Sequence, residues 1–306
     1  MTGSDKFERL DRFLVRMGWV PSRRVARELI ESGCVSVDGR RPRKGETVGP
    51  SDNVQISGTV PPRAIVPNPE LKIEVLFEDA SVLVVNKPGL IPCHALRADE
   101  RATVMNAIVA AYPETARAGD KPLEGGLIHR LDNGTSGGLI IARDQRAFVA
   151  LRAAIRGNRV VRRYLALAAG QLTGTTEIAK PIGHHPRNAR RMIVAEPGSS
   201  AAARPAATVI EPIEPLRGFT LVAVTPRTGR RHQIRVHLAS AGMPLAGDTL
   251  YGGPLLAELA PGRFWLHLST IVFDSPAGGR VEVTAPLPAD LTAVLTRLRS
   301  TQAGQY

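Results

Sequence analysis

The chain has 306 residues, 43% of them hydrophobic, the make-up of a globular protein with room for two domains rather than a disordered one. Forty Lys and Arg against 28 Asp and Glu leave a formal charge of +12, which favours a polyanionic partner, either nucleic acid or an anionic surface. Cys34 and Cys93 make neither a disulfide framework nor a zinc site, no apolar run approaches the ~18 residues of a membrane span, and MTGSDKFERLDRF lacks the apolar stretch of a signal peptide, so a soluble, cytoplasmic protein is expected.

In FERLDRFLVRMG, Leu10, Phe13, Leu14 and Met17 recur at helical spacing, with Arg9, Arg12 and Arg16 on another face and Gly18 to end the helix. Ser22 is placed to cap a second helix, RRVARELIES, which Gly33 stops; Val25, Leu29 and Ile30 point inward, and Arg23, Arg24 and Arg27 lie together outside. CVSVDGRRPRKGETVGPSDNVQI reads as short strands around an Asp-Gly turn. The prolines of SGTVPPRAIVPNPE mark a linker over residues 58–70. KIEVLFED and SVLVVNKPG are strand-like, as are GLIH and GLIIA on either side of a small-residue loop. RAFVALRAAIRG is helical, with Phe148, Leu151 and Ile155 on one face. RYLALAAG, FTLVAVTP and VEVTAP are later strands, PADLTAVLTRLRS is a closing helix, and the Ala-rich GSSAAARPAAT is a flexible loop. Strands dominate without regular βα alternation, so the class is α+β with a mixed, mostly antiparallel sheet.

Several common chemistries lack their motifs. There is no phosphate-cradling glycine loop, no H-E-x-x-H and no nucleophile elbow, and neither His184 with His185 nor His232 with His237 has a spacing that puts two imidazoles on one helical face. What remains is GLIHRLDNGTSGGLIIARD, in which a lone carboxylate, Asp132, sits on a loop of small residues. In TPRTGRRHQIRVHLASAGMPLAGDTLYGG, a turn at Thr228-Gly229-Arg230 precedes a helix whose Ile234, Leu238 and Ala241 face a core, with Arg235 beside them. A partly buried arginine needs an anion and a loop aspartate at the end of a buried strand needs a cation. Their pairing would keep Asp132 ionised and fix its rotamer; a purely structural salt bridge is the competing reading. From Arg143 to Arg163 seven arginines stand against one acid, Asp144, a surface suited to a polyanion.

Two resemblances follow. RLDRFL, SRRVARELIESGCVSVDG and SDNVQI resemble the RNA-binding module of ribosomal protein S four, which implies a small α/β RNA-binding domain over residues 7–57. HRLDNGTSGGLIIARD resembles the signature motif of RNA pseudouridine synthases of the RluA class; VLVVNKPGLIPCHA, RRYLALAAG, TGRRHQIRVHLASAGMPLAGDTLYGG and RFWLHLSTIVFDSP resemble further segments of that family in the same order. The likeness implies a catalytic domain over residues 71–300 that isomerises uridine in RNA to pseudouridine, ribosomal RNA being favoured over transfer RNA, without cofactor or metal; the sequence leaves oligomeric state open, with a monomer as the default expectation. It implies that Asp132 acts on the ribose of a flipped-out uridine, by attack on the sugar carbon or by removal of a neighbouring proton. Arg235 keeps that carboxylate ionised, and Tyr164 stacks on the base. Arg130 fills the space the nucleotide vacates and Leu266 lines the base pocket. Arg230 and His129 complete the substrate-binding set, His129 mainly by supporting the loop. GSSAAARPAAT departs from the family pattern, and Arg162 stands where a lysine is usual. The rivals are a non-catalytic RNA-binding protein on the same fold and a hydrolase using Asp132 as nucleophile; the second lacks an evident water-activating base.

Overall fold

The structure, a computed structural model, describes residues 7–43, 45–58, 64–97, 99–195 and 203–303. The chain divides into two compact units, Met1–Arg63 and Ala64–Tyr306.

The first unit comprises β1 (Glu8–Arg9), α1 (Leu10–Arg16), α2 (Arg23–Glu31), β2 (Val35–Val37), β3 (Thr47–Val48) and β4 (Val54–Ile56). β1 pairs with β3 and β2 with β4, both antiparallel. Leu10, Leu14, Ala26, Leu29, Val35 and Val37 form its core. The Ser22 hydroxyl accepts the Val25 N–H at 3.4 Å, so the expected cap of α2 forms. Met17, expected on the apolar face, is exposed, because α1 has already ended at Arg16. The arginines also differ from a fan of solvated charges. Arg9, Arg23 and Arg27 converge at 3.0, 2.9 and 3.0 Å on one buried carboxylate, Asp11. Burial pushes the Asp11 carboxyl upward, but hydrogen bonds from Arg23, Arg9 and Arg27 outweigh it and hold the group well below the usual carboxylate range.

The linker expected over 58–70 is shorter than that reading. Residues 59–63 lie outside the described residues, and from Ala64 the chain belongs to the second unit. Ile65 sits in that unit's core, and the Asn68 side chain donates to the Arg101 carbonyl at 2.8 Å. Of the flexible loop expected at GSSAAARPAAT, residues 198–202 lie outside the described residues; the remainder is ordered instead, Arg204 bridging Ile182, Ala206 buried and Thr208 opening a strand.

In the second unit the strands are β5 (Glu74–Glu78), β6 (Val82–Lys87), β7 (Ser136–Ala142), β8 (Val161–Ala169), β9 (Thr176–Ile178), β10 (Ile182–His184), β11 (Met192–Val194), β12 (Thr208–Leu216), β13 (Phe219–Pro226), β14 (Leu266–Asp274) and β15 (Arg280–Thr284). The helices are α3 (Val104–Ala111), α4 (Gln145–Arg156), α5 (Gln233–Ser240) and α6 (Ala289–Ala303). Among the described residues, nine strands make one mixed sheet in the order β5–β6–β7–β14–β8–β13–β12–β9, with β15 on β14; β10 and β11 form a separate hairpin. Every pairing is antiparallel except β7 with β14. β14 is therefore inserted between two blocks of strands. His267 and Leu268 pair with Ser136 and Gly137 of β7, and beyond an irregularity at Leu268/Thr270 the place of β7 is taken by β15. The insertion needs a glycine. Gly137 has φ 115°, and a Cβ there would stand 2.2 Å from the Leu268 carbonyl oxygen.

Gly126–His129, expected as a strand, makes a single bridge, Leu127 to Ile141. The next ladder donor, the Ile140 N–H, goes to the His129 ring at 3.3 Å instead of to backbone, and the chain leaves the sheet there. That exit starts the loop carrying Asp132.

Candidate active site

The Asp132 loop is held from beneath by two buried cations. Lys87, at the end of β6, donates its ammonium to the carbonyls of Pro88 at 2.7 Å and Asn133 at 3.1 Å. The Asn133 carbonyl also accepts the Leu90 N–H at 2.7 Å. Among the described residues no carboxylate bonds to Lys87, and burial lowers the ammonium to about 8. Arg263 donates to the Gly134 carbonyl, to the Ser136 hydroxyl at 2.9 Å and to Asp290 of α6 at 2.7 Å. Asn133 is thus tied to β6 and Gly134, through Arg263, to α6, and the Thr135 N–H closes a turn on the Asp132 carbonyl at 3.0 Å. Asp132 itself remains partly open to solvent, its side chain 25% exposed.

Arg235 approaches from α5. All residues from Gln233 to Leu238 are buried, so this helix has no solvated face and its arginine has nowhere to extend. Nη1 donates to Asp132 Oδ2 at 3.0 Å. The stronger partner, however, is Asp248, on which Nε and Nη2 make a two-pronged grip at 2.7 and 2.8 Å. Asp248 is 1% exposed. The guanidinium also lies 4.2 Å from the Phe264 ring centroid and 5.0 Å from that of Tyr251. Burial pulls its pKa down, but the Asp248 bonds and the two carboxylate charges raise it further. The consequence is a fixed donor. Arg235 is locked by Asp248 and offers its remaining prong to Asp132. Among the described residues no hydrogen bond reaches the other Asp132 oxygen, Oδ1. Ala241, expected on the core face of this helix, is its exposed C-cap.

Tyr164 lies on β8, opposite Val224 of β13 and Leu268 of β14, in the main apolar cluster with Leu131, Phe264 and Leu266. Burial pushes its phenol up; the Arg162 charge opposes that shift and the Asp132 charge adds to it. Leu266 opens β14 opposite Ala166. Arg130 is exposed beside Asp132, with Nη1 3.3 Å from His94 Nε2. Two of the expected residues are turned to the protein itself. His129 is buried, its Nε2 accepting the Ile140 N–H; burial, with Arg162 and Arg152 nearby, lowers its pKa to about 3, so it is a neutral prop for β7. Arg230 is half-buried and spends its Nε on the Pro205 carbonyl at 3.0 Å. Sequence reasoning missed Asp248, Lys87 and Arg263. An aspartate in AGDTLYGG has the look of a turn residue, and nothing in the pattern marks a lysine in SVLVVNKPG as buried.

The model of the RNA pseudouridylate synthase family matches residues 81–240, and that of the S4 domain residues 8–54. An uncharacterised RNA pseudouridine synthase of Chloroflexus aurantiacus is 40% identical over 95% of this chain and 90% of its own length. Ribosomal large subunit pseudouridine synthase D of Xanthomonas campestris is 33% identical over 92% and 86%. Among solved structures, human RNA pseudouridylate synthase domain containing 1 superposes with a TM-score of 0.56 at 25% identity, covering 74% of this chain and 95% of that one. No helix among the described residues is long and apolar enough to cross a membrane. The chain belongs to the RNA pseudouridine synthases, isomerases that act on uridine in RNA, and carries an S4 domain ahead of the synthase region.

Proposed function

We propose that this chain converts uridines of ribosomal RNA to pseudouridine in the cytoplasm, with Asp132 as the reacting carboxylate. The observation that carries this reading is the asymmetry of Asp132: Oδ2 is held by Arg235, Oδ1 has no partner among the described residues, and the loop behind it is clamped by Lys87 and Arg263. A carboxylate so fixed presents one oxygen to a ribose without first losing rotational freedom. The glycosidic bond from the sugar to ring nitrogen one breaks, the uracil turns, and carbon five bonds to the same sugar carbon. Carbon five gives up its proton and nitrogen one gains one, so the overall change is an isomerisation. Tyr164 packs against the base, Leu266 forms the pocket floor, and Arg130 enters the stack in place of the extruded nucleotide. Arg230 serves the RNA from its position at the turn before α5.

Residues 7–57 form the RNA-binding domain in this reading, and the synthase domain runs from Ala64 to residue 300. The Asp11-centred arginine array holds phosphates in the first. Ribosomal RNA is the substrate favoured by the relatives named for the large ribosomal subunit and by the S4 domain. One copy of the chain holds every group named, so a monomer suffices. Chemical mapping of pseudouridine in total RNA, from cells with the gene, without it, and with Asp132→Asn in its place, tests the proposal. Sites that vanish in the second and third cases, with RNA binding kept by the variant, support it; an Asp132→Asn map identical to wild type refutes it and favours a non-catalytic RNA-binding role.

A further inference from the structure

His232 stands at the N-terminus of α5 and takes a left-handed backbone, φ 55° and ψ 20°. A histidine pays for that conformation, and such residues persist where their surroundings over-determine them. The surroundings here are specific. His232 Nδ1 lies 2.8 Å from the Tyr251 hydroxyl, and the two rings meet edge to face. The same hydroxyl oxygen accepts the backbone N–H of Met192, on β11, at 2.8 Å. Tyr251 is itself held between the guanidinium groups of Arg235 and Arg191, 5.0 and 5.5 Å from its ring centroid. On the far side of the imidazole, Nε2 is 4.0 Å from Asp132 Oδ2.

The hydrogen atoms follow from elementary accounting. The Met192 N–H can only donate, so the Tyr251 oxygen is an acceptor there. Among the described residues no other acceptor bonds to that hydroxyl, so its proton finds a partner only when His232 Nδ1 accepts it; the opposite tautomer leaves the buried hydroxyl proton unpaired. A neutral imidazole with Nδ1 accepting carries its proton on Nε2. The N–H of Nε2 therefore faces Asp132. The ring stays neutral: burial, opposed by the Asp132 charge and aided by Arg235 and Arg231, lowers its pKa to about 4.

We propose that His232 is a positioning residue for Asp132, a neutral imidazole whose Nε2–H is aimed by the Tyr251 hydroxyl and closes onto Oδ2 when RNA is bound. This rests on Asp132 being the reacting carboxylate. Closure from 4.0 Å to hydrogen-bond distance requires a movement of about 1 Å. With Arg235 and His232 both on Oδ2, rotation of the carboxylate is blocked and Oδ1 is left facing the ribose. A second cation in this place would weaken the carboxylate as a nucleophile or base, whereas a neutral donor orients it at little cost in reactivity. Tyr251 and Met192 thereby link the β10–β11 hairpin to the reacting group.

Nitrogen NMR of the full chain, labelled in histidine, reads the tautomer of His232 directly. The expected result is a neutral ring protonated on Nε2 at pH 7, changing to a mixture of tautomers in Tyr251→Phe. With ribosomal RNA from cells lacking the gene as substrate, His232→Asn, which tolerates the left-handed backbone, is expected to lower kcat about tenfold with KM within about twofold, the scale of one lost hydrogen bond. Tyr251→Phe is expected to lower kcat by a smaller factor, and His232→Gln, which restores an N–H of greater reach, to recover part of the loss. An imidazole protonated on Nδ1, or His232→Asn and Tyr251→Phe enzymes with wild-type kcat beside an inactive Asp132→Asn, overturns the inference and leaves the role of Asp132 standing. An active Asp132→Asn enzyme overturns that role, and this inference with it.

Discussion

Asp248 is the residue whose loss tests the site most severely. Replacing it with Ala removes both bonds to Arg235, at 2.7 and 2.8 Å, from a place where neither partner meets water. Breaking a buried ion pair from one side costs about 3–5 kcal/mol, because the remaining charge stays buried with less to oppose it. For a unit of this size each kcal/mol moves the melting midpoint by about 2–4 °C, so Asp248→Ala is expected to melt about 6–20 °C below wild type. Asp248→Asn keeps one carbonyl acceptor and is expected to lose about half as much. Arg235, left with Asp132 alone, is no longer held in register, and kcat is expected to fall more than tenfold even where the Asn variant remains folded. Circular dichroism on heating gives the first quantity, and release of the carbon-five proton from labelled uridine RNA gives the second. An Asp248→Ala enzyme that melts within about 1 °C of wild type and turns over at full rate would refute the claim that Asp248 anchors Arg235.

Three further outcomes follow from the same geometry. Gly137→Ala puts a methyl group against the Leu268 carbonyl and is expected to cost about 3 kcal/mol or more in urea denaturation, by prising β14 from β7. Lys87 has an ammonium lowered to about 8 in the folded chain against the ordinary lysine value of 10.5 when unfolded, so between those values the unfolded chain binds more protons and stability rises with pH. The stability of wild type relative to Lys87→Met should therefore climb by about 3 kcal/mol between pH 8 and pH 10.5 in urea titrations; a difference that does not change with pH would contradict a buried ammonium without a carboxylate partner. Asp11→Asn removes the anchor of Arg9, Arg23 and Arg27; although it adds positive charge, it is expected to weaken binding to ribosomal RNA in filter assays, and tighter binding would show that charge alone, not spacing, governs the contact.

The pairing of Asp132 with Arg235 was legible in the sequence because each is an oddity in its own setting: an acid on a small-residue loop in a basic chain, and an arginine beside an apolar helix face. Asp248 was not, because an aspartate between glycines satisfies every rule for a turn and its burial is decided by a helix elsewhere in the chain. The long strands with uninterrupted β-branched or leucine runs were visible. β12 was hidden by Pro212 and Pro215, which a central strand could not hold; they are tolerated because β9 pairs only with Thr208–Ile210 and neither proline lies in that ladder. The place of β14 was unreadable for a different reason. Leu266–Asp274 was noticed only as a segment resembling the family and not as a strand, and nothing local says that it enters between β7 and β8, since parallel pairing over such a separation leaves no trace in spacing.

That insertion has a consequence for how the protein is made. β7, which follows the Asp132 loop, and β8, which carries Tyr164, do not touch as neighbours in the sheet; each abuts β14, and β14 is supplied by the last sixth of the chain. A ribosome that has released the chain as far as Arg263 has produced two unjoined blocks of strands and no finished cleft. Closure is a late, long-range event of the kind that folds slowly. The nascent chain should therefore gain its RNA-binding helices well before it gains activity, and shortening it at β14 should cost activity far more than shortening it at the end of α6.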